Sequence, residues 1–342
     1  MQNKKVVTFG EIMLRLSPPG SYRFLQATSL DATYGGGEAN VAVSLANFGL
    51  QAHFVSKVPA HDIGQGAVNA LRVHGVRTEH IKRGGDRLGI YYCEHGASQR
   101  ASKVIYDRTG SSIAQVKPDE FDWHHIFQDA SWFHFTGITP AISDNAAAAT
   151  LEALKVAKEM KVKVSVDLNY RKKLWTPEKA NRVMSQLMEY VDVVISNEED
   201  AEKVFGIKAG SSDVEKGELH ETGYREVARE LVKRFGLEKV AITLRESLSA
   251  SDNNWSGMLY DGEDFYDSRK YSIHLVDRVG GGDSFCGGLI YALMTDKDPL
   301  YAVEFAAAAS CLKQTIHGDF NLVSVEEVEL LMEGDESGRI QR

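Results

Sequence analysis

The sequence predicts an α/β fold, a mostly parallel sheet with helices on both faces, and three observations carry that prediction. Short apolar, β-branched runs alternate with segments of helical period along the whole chain. Several of the helical segments open on capping signals. With 342 residues, 43% of them hydrophobic, the chain can bury the core such a sheet requires, as one large domain or two smaller ones.

Taken in order, the buried strands read "KVVTFG" (5–10), "HFVSKV" (53–58), "WFHFTG" (132–137), "KVSVDLN" (163–169), "VDVVISN" (191–197) and "KVAITL" (239–244). Between them, Asp62 to Val73 and Asp144 to Met160 carry apolar faces, and Thr176-Pro177-Glu178 is an N-cap, first-turn proline and acidic residue opening another helix. Val227, Leu231 and Phe235 recur at i, i+4 and i+8, and Ser324 to Glu327 is a capping box for a last helix. β-α alternation of this kind gives a parallel sheet covered on both faces. Two stretches break it: Met13 to Tyr34 and Ile90 to Ile113, where polar and β-prone residues alternate without a helix. They are expected to pair as a small antiparallel sheet outside the main layer, a lid. Residues 211–223 read as a polar surface loop and the tail 333–342 as frayed.

A net charge of −9 lacks the basic stripe of a nucleic-acid binder, so an anionic partner would be held by a few placed cations. Cys93, Cys286 and Cys311 lie too far apart for a disulfide framework or a metal-ligand spacing, which suits a reducing cytoplasm. No run reaches the roughly 18 apolar residues of a membrane span. None of the 11 histidines falls in a metal-binding spacing, and Cys286 has no His partner to activate it.

In open α/β sheets ligands bind beyond the carboxyl ends of the strands, which points to Asp167, Asn169, Arg171, Asn197 and the loop after Leu244. "DRVGGGDSFCGG" (277–288) follows the strand candidate "YSIHLV" and opens a helix whose Phe285, Leu289 and Leu293 recur at i, i+4 and i+8. The N–H groups of Gly280, Gly281 and Gly282 there can cradle a phosphate, although neither the Walker nor the dinucleotide fingerprint is present. Asp283 is equally a base taking a proton from an attacking hydroxyl or a helix N-cap. "YGGGEANVAVSLANFG" (34–49) opens a second helix, with Val41, Leu45 and Phe48 as core and Glu38 and Asn40 at its head. Two such helix starts suggest two halves of one cleft. Glu198, Glu199 and Asp200 complement a helix dipole or bind hydrated Mg²⁺.

Together "GGGEANVAVSLANFG" and "DRVGGGDSFCGG" resemble the two signatures of the ribokinase-like, or PfkB-type, carbohydrate kinases, a resemblance running from "FGEIM" to "IHGDFN". It implies a single domain, 1–342, in a ribokinase-like three-layer α/β/α sandwich with a lid formed by about 13–34 and 90–113. It further implies transfer of the ATP γ-phosphoryl group to a sugar hydroxyl with Mg²⁺, and a monovalent cation such as K⁺ near Asp277. By resemblance Asp283 is the base, Gly280 to Gly282 the anion hole, and Asn197, Thr243, Arg245 and Ser249 belong to the ATP site. Asn197 and the acidic residues after it match the family's N-x-x-E region near the metal, with Asp200 in place of the usual Glu, so that either Glu199 or Asp200 is implied there. "GGGEANVA", "DLNYRKKLW" and "HGDFN" are most similar to the branch acting on 2-keto-3-deoxygluconate. Its implied substrate contacts are Gly36, Asn40, Tyr91, Tyr106, Arg108, Arg171 and Asp319, with the arginines selecting a sugar-acid carboxylate. Two departures stand out: Arg245 and Leu248 occupy usual glycine positions, and D-R-V-G-G-G-D replaces D-T-T-G-A-G-D. A fructokinase or other neutral-sugar kinase, a sugar-binding sensor without catalysis and, more distantly, a dinucleotide oxidoreductase are the rival expectations. No nucleic-acid or membrane partner is expected, and an apolar lid face invites a homo-oligomer.

Overall fold

Side chains alternate across a strand, so each apolar run sends residues to both faces of its sheet. In the computed structural model, which describes residues 4–197, 199–208 and 221–334, this alternation builds a ten-stranded sheet between two helical layers. Its strands are β1 (Lys5–Phe9), β4 (Gln51–Val58), β5 (Ile81–Arg83), β8 (Ala130–Thr136), β9 (Lys163–Asp167), β10 (Val193–Ser196), β11 (Lys239–Ser247), β12 (Asp252–Tyr260), β13 (Phe265–Asp267) and β14 (Tyr271–His274). The order is β13-β12-β11-β10-β9-β8-β1-β4-β5, with β14 also paired to β12. All six strands expected from the sequence are present. From β11 to β5 neighbouring strands run parallel, whereas β12 pairs antiparallel with β11, β13 and β14.

One layer holds α1 (Gly37–Asn47), α2 (Asp62–Val73), α9 (Gly281–Met294), α10 (Pro299–Lys313) and α11 (Val325–Met332). The other holds α3 (Trp123–Phe127), α4 (Ile138–Ile142), α5 (Asp144–Glu159), α6 (Pro177–Leu187), α7 (Asp200–Phe205) and α8 (Glu221–Phe235). Val193, Ile195 and Ala241 face the first layer, while Val194, Val240 and Ile242 face the second. The caps read from the sequence hold: the Thr176 hydroxyl accepts from the Lys179 N–H, and Ser324 and Glu327 form a capping box. The helix α9 is buried around most of its girth, beyond the one face formed by Phe285, Leu289 and Leu293, because α1 and α10 flank it. A Cβ on Gly288 would meet the Cα of Ala306 at 2.9 Å, so glycine sets how closely α9 and α10 approach.

A second sheet, in the order β3-β2-β6-β7, is built from β2 (Met13–Ser17), β3 (Asp31–Gly35), β6 (Gly89–Glu94) and β7 (Lys103–Asp107). These are the two stretches that break the β-α rhythm. The sheet is mixed rather than antiparallel: its hairpin-like pairs β2–β3 and β6–β7 are antiparallel, but β2 and β6 pair in parallel. The long crossover between them, through β4, α2 and β5, returns the chain in the same direction. Of residues 211–223, only 221–223 fall within the described residues, and they open α8; the tail beyond residue 334 falls outside them, as does Glu198. No described helix is long and apolar enough to cross a membrane. All three cysteines are buried, and none is in a disulfide.

Candidate active site

The parallel register aligns Thr136, Asp167 and Ile195 at the carboxyl ends of β8, β9 and β10. Beyond those ends lies a cavity of about 390 Å³, closed on one side by Met13, Tyr91, Val104 and Tyr106 of the second sheet. The N-termini of α1 and α9 enter it together, as the two glycine triplets suggest. They touch through their polar heads: the Asn40 amide donates to Asp283 Oδ2 at 2.6 Å and accepts from the Gly36 N–H at 3.2 Å.

Asp283 is not the N-cap. That position belongs to Gly280, whose φ of 83° is left-handed, and Asp283 stands in the first turn of α9 with its half-buried carboxyl facing the cavity. Burial pushes this carboxyl up to about 6, against the opposing pull of the Asn40 amide. Gly280, Gly281 and Gly282 line the same cavity, where first-turn N–H groups lack intrahelical acceptors and the dipole favours an anion. Nucleophile activation and anion stabilisation are thus available within one helical turn.

Asp167, Asp200, Asn169 and Asn197 form an acidic wall. Burial, followed by the like charges of Asp200 and Asp283, raises Asp167 well above the usual carboxylate range, while Arg171 opposes. Asn169 adopts a left-handed φ of 40° and donates to Asp167 at 3.1 Å. The Asn197 side chain accepts from the Glu199 N–H at 2.8 Å and the Asp200 N–H at 2.9 Å, and Asp200 accepts from the Tyr170 N–H at 3.1 Å. Glu199 is the residue before α7 and does not line the cavity. Repelling carboxylates with oxygen donors suit a hard cation such as Mg²⁺. Among the described residues, three or more His, Cys, Asp or Glu ligand atoms converge within 4.8 Å at His53, Glu79 and His80, away from the cavity. That histidine cluster was not legible from sequence spacing.

The residues expected from the resemblance to contact a sugar acid line the cavity, and several of them are buried in its wall. The Tyr106 ring lies under the Arg108 guanidinium at 5.3 Å. Arg108 pairs with the buried Glu11, and its Nε is buried without a hydrogen-bond partner among the described residues. Tyr91 and Asp319 are buried: Asp319 takes the Tyr91 hydroxyl at 2.6 Å and Arg15 at 2.7 Å, which commits it to buttressing as well as lining the cavity. Arg15 also reaches Asp277 at 2.6 Å. Sequence reasoning passed over Arg15 because it lies 304 residues from Asp319.

The stretch Thr243 to Ser249 is not a loop. It runs through β11 into a hairpin with β12, with Arg245 opposite Trp255. Thr243 and Arg245 line the cavity; Ser249 sits in the hairpin turn, accepting from the Ser251 and Asp252 N–H groups, and does not. Arg278, also lining the cavity, is lowered by burial and then by the charge of Arg245, so two guanidinium groups share this end. Two cations kept close together prefer an anion between them. Val279 packs on the Met13, Tyr91 and Cys93 cluster, joining the glycine loop to the second sheet.

Known proteins share this fold. Residues 3–323 match the pfkB family carbohydrate kinase. A 2-dehydro-3-deoxygalactonokinase of Haloferax volcanii is 34% identical over 335 residues, 98% of either chain. The crystal structure of 2-dehydro-3-deoxygluconokinase from Thermotoga maritima superposes with a TM-score of 0.94 at 52% identity, covering 97% of this chain and 99% of that one. Fructokinase with bound ATP from Xylella fastidiosa shares the fold at a TM-score of 0.75 and 21% identity, covering 97% and 98%. The ribokinase-like three-layer architecture is the one observed.

Proposed function

The chain belongs to the PfkB family of carbohydrate kinases, and from that premise we propose that it phosphorylates 2-keto-3-deoxygluconate (2-dehydro-3-deoxygluconate) with ATP, giving 2-keto-3-deoxy-6-phosphogluconate and ADP. The observation that carries this reading is the Asn40–Asp283 contact, which holds one carboxylate at the cavity that Gly280, Gly281 and Gly282 also line. The terminal hydroxyl oxygen of the sugar acid attacks the γ-phosphorus and passes its proton to Asp283. The bond from that phosphorus to the bridging oxygen breaks, and ADP leaves with the electron pair. Charge gathering on the phosphoryl oxygens is met by the N–H groups of the Gly280–Gly282 turn. Asp167 and Asp200 would hold Mg²⁺, which when bound neutralises phosphate charge. Arg108, with its buried Nε, and Arg171 would receive the substrate carboxylate. The second sheet would act as a lid that excludes water.

A coupled ATP-consumption assay over 2-keto-3-deoxygluconate, 2-keto-3-deoxygalactonate, fructose and ribose tests the substrate. Turnover with the two sugar acids and little with the hexose or pentose is expected; a clear preference for fructose would overturn the sugar-acid reading. The base also sets a pH dependence. Asp283 works ionised, and its carboxyl lies at about 6. The plot of kcat/KM should therefore fall tenfold per pH unit below about 6 and level off above it. A limb near the ordinary aspartate value would mean that another group titrates.

Arg245 and Arg278 supply, in this reading, what the family's glycines supply by close approach. Arg245→Ala should raise KM for ATP on the order of tenfold, the loss of one charge-assisted contact, with KM for the sugar acid unchanged. Steady-state kinetics with each substrate varied in turn distinguishes the two.

A further inference from the structure

Behind the glycine loop stands a cation that touches no substrate. Lys313 ends α10 and is fully buried, at 0% exposure. An ammonium has three N–H donors and no acceptor. All three find backbone carbonyls: Gly318 at 2.7 Å, Asp277 at 3.1 Å, and Val279. Two of these carbonyls belong to the segment leading directly into Gly280, and the third comes from the turn after α10. The Lys313 Cε lies 3.3 Å from where a Cβ on Gly280 would stand.

Burial, and after it the charge of Arg15, lowers the pKa of this ammonium, while Asp277, Asp319 and Asp283 act in the other direction. The cage itself favours the charged form. A neutral amine has two N–H groups and a lone pair, which would turn that lone pair toward one of the carbonyls. Around the cage, Asp277 accepts from the Gly318 N–H at 3.0 Å and from the Val279 N–H at 3.1 Å, and Arg15 joins Asp277 to Asp319. Two buried cations face two buried carboxylates beneath the loop, so the charges balance without an added ion. Three carbonyl oxygens converging on one positive centre are the kind of shell that would otherwise hold a monovalent cation.

We propose that the Lys313 ammonium is a built-in monovalent cation that holds residues 277–280 in the shape presenting the glycine N–H groups, so that turnover requires neither K⁺ nor Na⁺. The proposal rests on reading Gly280–Gly282 as the phosphoryl-binding turn, and Lys313 in it is a positioning residue. It places the lysine where the sequence led one to expect K⁺ near Asp277.

The test is a salt series at constant ionic strength in KCl, NaCl and tetramethylammonium chloride, using whichever sugar the substrate panel prefers. Wild-type kcat should vary by no more than about twofold across the three salts, while Lys313→Ala in tetramethylammonium should lose about 100-fold in kcat with KM little changed. K⁺ or methylammonium should restore much of that loss, and K⁺ should raise the melting temperature of the variant but not of the wild type. A purely structural lysine would leave a deficit that no cation repairs, and that result overturns the proposal. So does wild-type stimulation by K⁺ of about fivefold or more, which needs no variant and decides the matter if Lys313→Ala does not fold. Absence of turnover with every sugar in every salt would instead count against the proposed function, and the melting shift of the variant would still report on the cage.

Discussion

Asp283→Asn is expected to lower kcat by about 10²–10⁴-fold, the usual contribution of a positioned base, while both substrates still bind. Asparagine keeps the shape of the side chain and can still accept from Asn40, which holds Asp283 at 2.6 Å, so the geometry of the turn survives. What disappears is the capacity to take the hydroxyl proton. Stability should move the other way. Burial and neighbouring acids raise the Asp283 carboxyl to about 6, from the ordinary 3.8, so its ionised form is disfavoured in the folded state. The sign follows: any stability the raised group contributes is complete below its unfolded value and lost as pH climbs through about 6. At pH 7 a neutral asparagine escapes that penalty and also removes a like charge from beside Asp167. The melting temperature should thus equal or exceed that of the wild type. Calorimetry with the sugar acid and with ATP, beside single-turnover kinetics, checks both halves. A variant retaining more than about a tenth of wild-type kcat would show that proton removal is not the task of Asp283.

The layered fold was legible because six β-branched runs between amphipathic segments leave few other arrangements. The antiparallel edge was not, since "DNNWSGMLY" mixes polar, aromatic and small residues that show no clean period. Nor was the parallel pairing of β2 with β6, which depends on a crossover through the main sheet and not on either strand's own composition. At the site, the two glycine-led helix starts were readable because anion chemistry demands bare N–H groups at a helix end. The buttress beneath them was not. A lone Arg15 or Lys313 reads as a solvated surface charge, and only folding brings Arg15 to Asp277 and Asp319. One sign was there in hindsight: Lys313 closes the helix "PLYAVEFAAAASCLK", whose apolar character predicts burial for its neighbours. The Arg278-Val279 pair that departs from the family pattern also acquires a physical account. Arg278 faces the cavity beside Arg245, and Val279 packs against the second sheet. Ser249 and Glu199 came from the family resemblance, and in the structure a β-hairpin turn and a helix start hold them off the cavity.

Gly280→Ala should lose activity and stability together, whereas Gly282→Ala, two residues on, should lose activity alone. At Gly280 the backbone is left-handed, with φ at 83°, which costs a residue bearing a Cβ about 1–2 kcal/mol. The added carbon would also lie 2.1 Å from the Asp319 carbonyl oxygen. That residue cannot step aside cheaply, because Arg15 and Tyr91 both hold its carboxylate. The loop must shift instead, moving its N–H groups off the phosphoryl oxygens, so kcat should fall by about 10²-fold or more. Gly282 is different: it is exposed, helical, and a Cβ there meets nothing within 4 Å. Alanine is the better helix former by about 1 kcal/mol, so the folded state should be no less stable. Yet Gly282 lines the cavity, and a methyl group there would stand between the backbone and an approaching phosphate. Thermal melts separate the two variants, and kcat decides the chemistry. Full activity in a stable Gly282→Ala would mean that the phosphoryl group never comes close to this turn, and the anion hole would have to be sought elsewhere in the cavity.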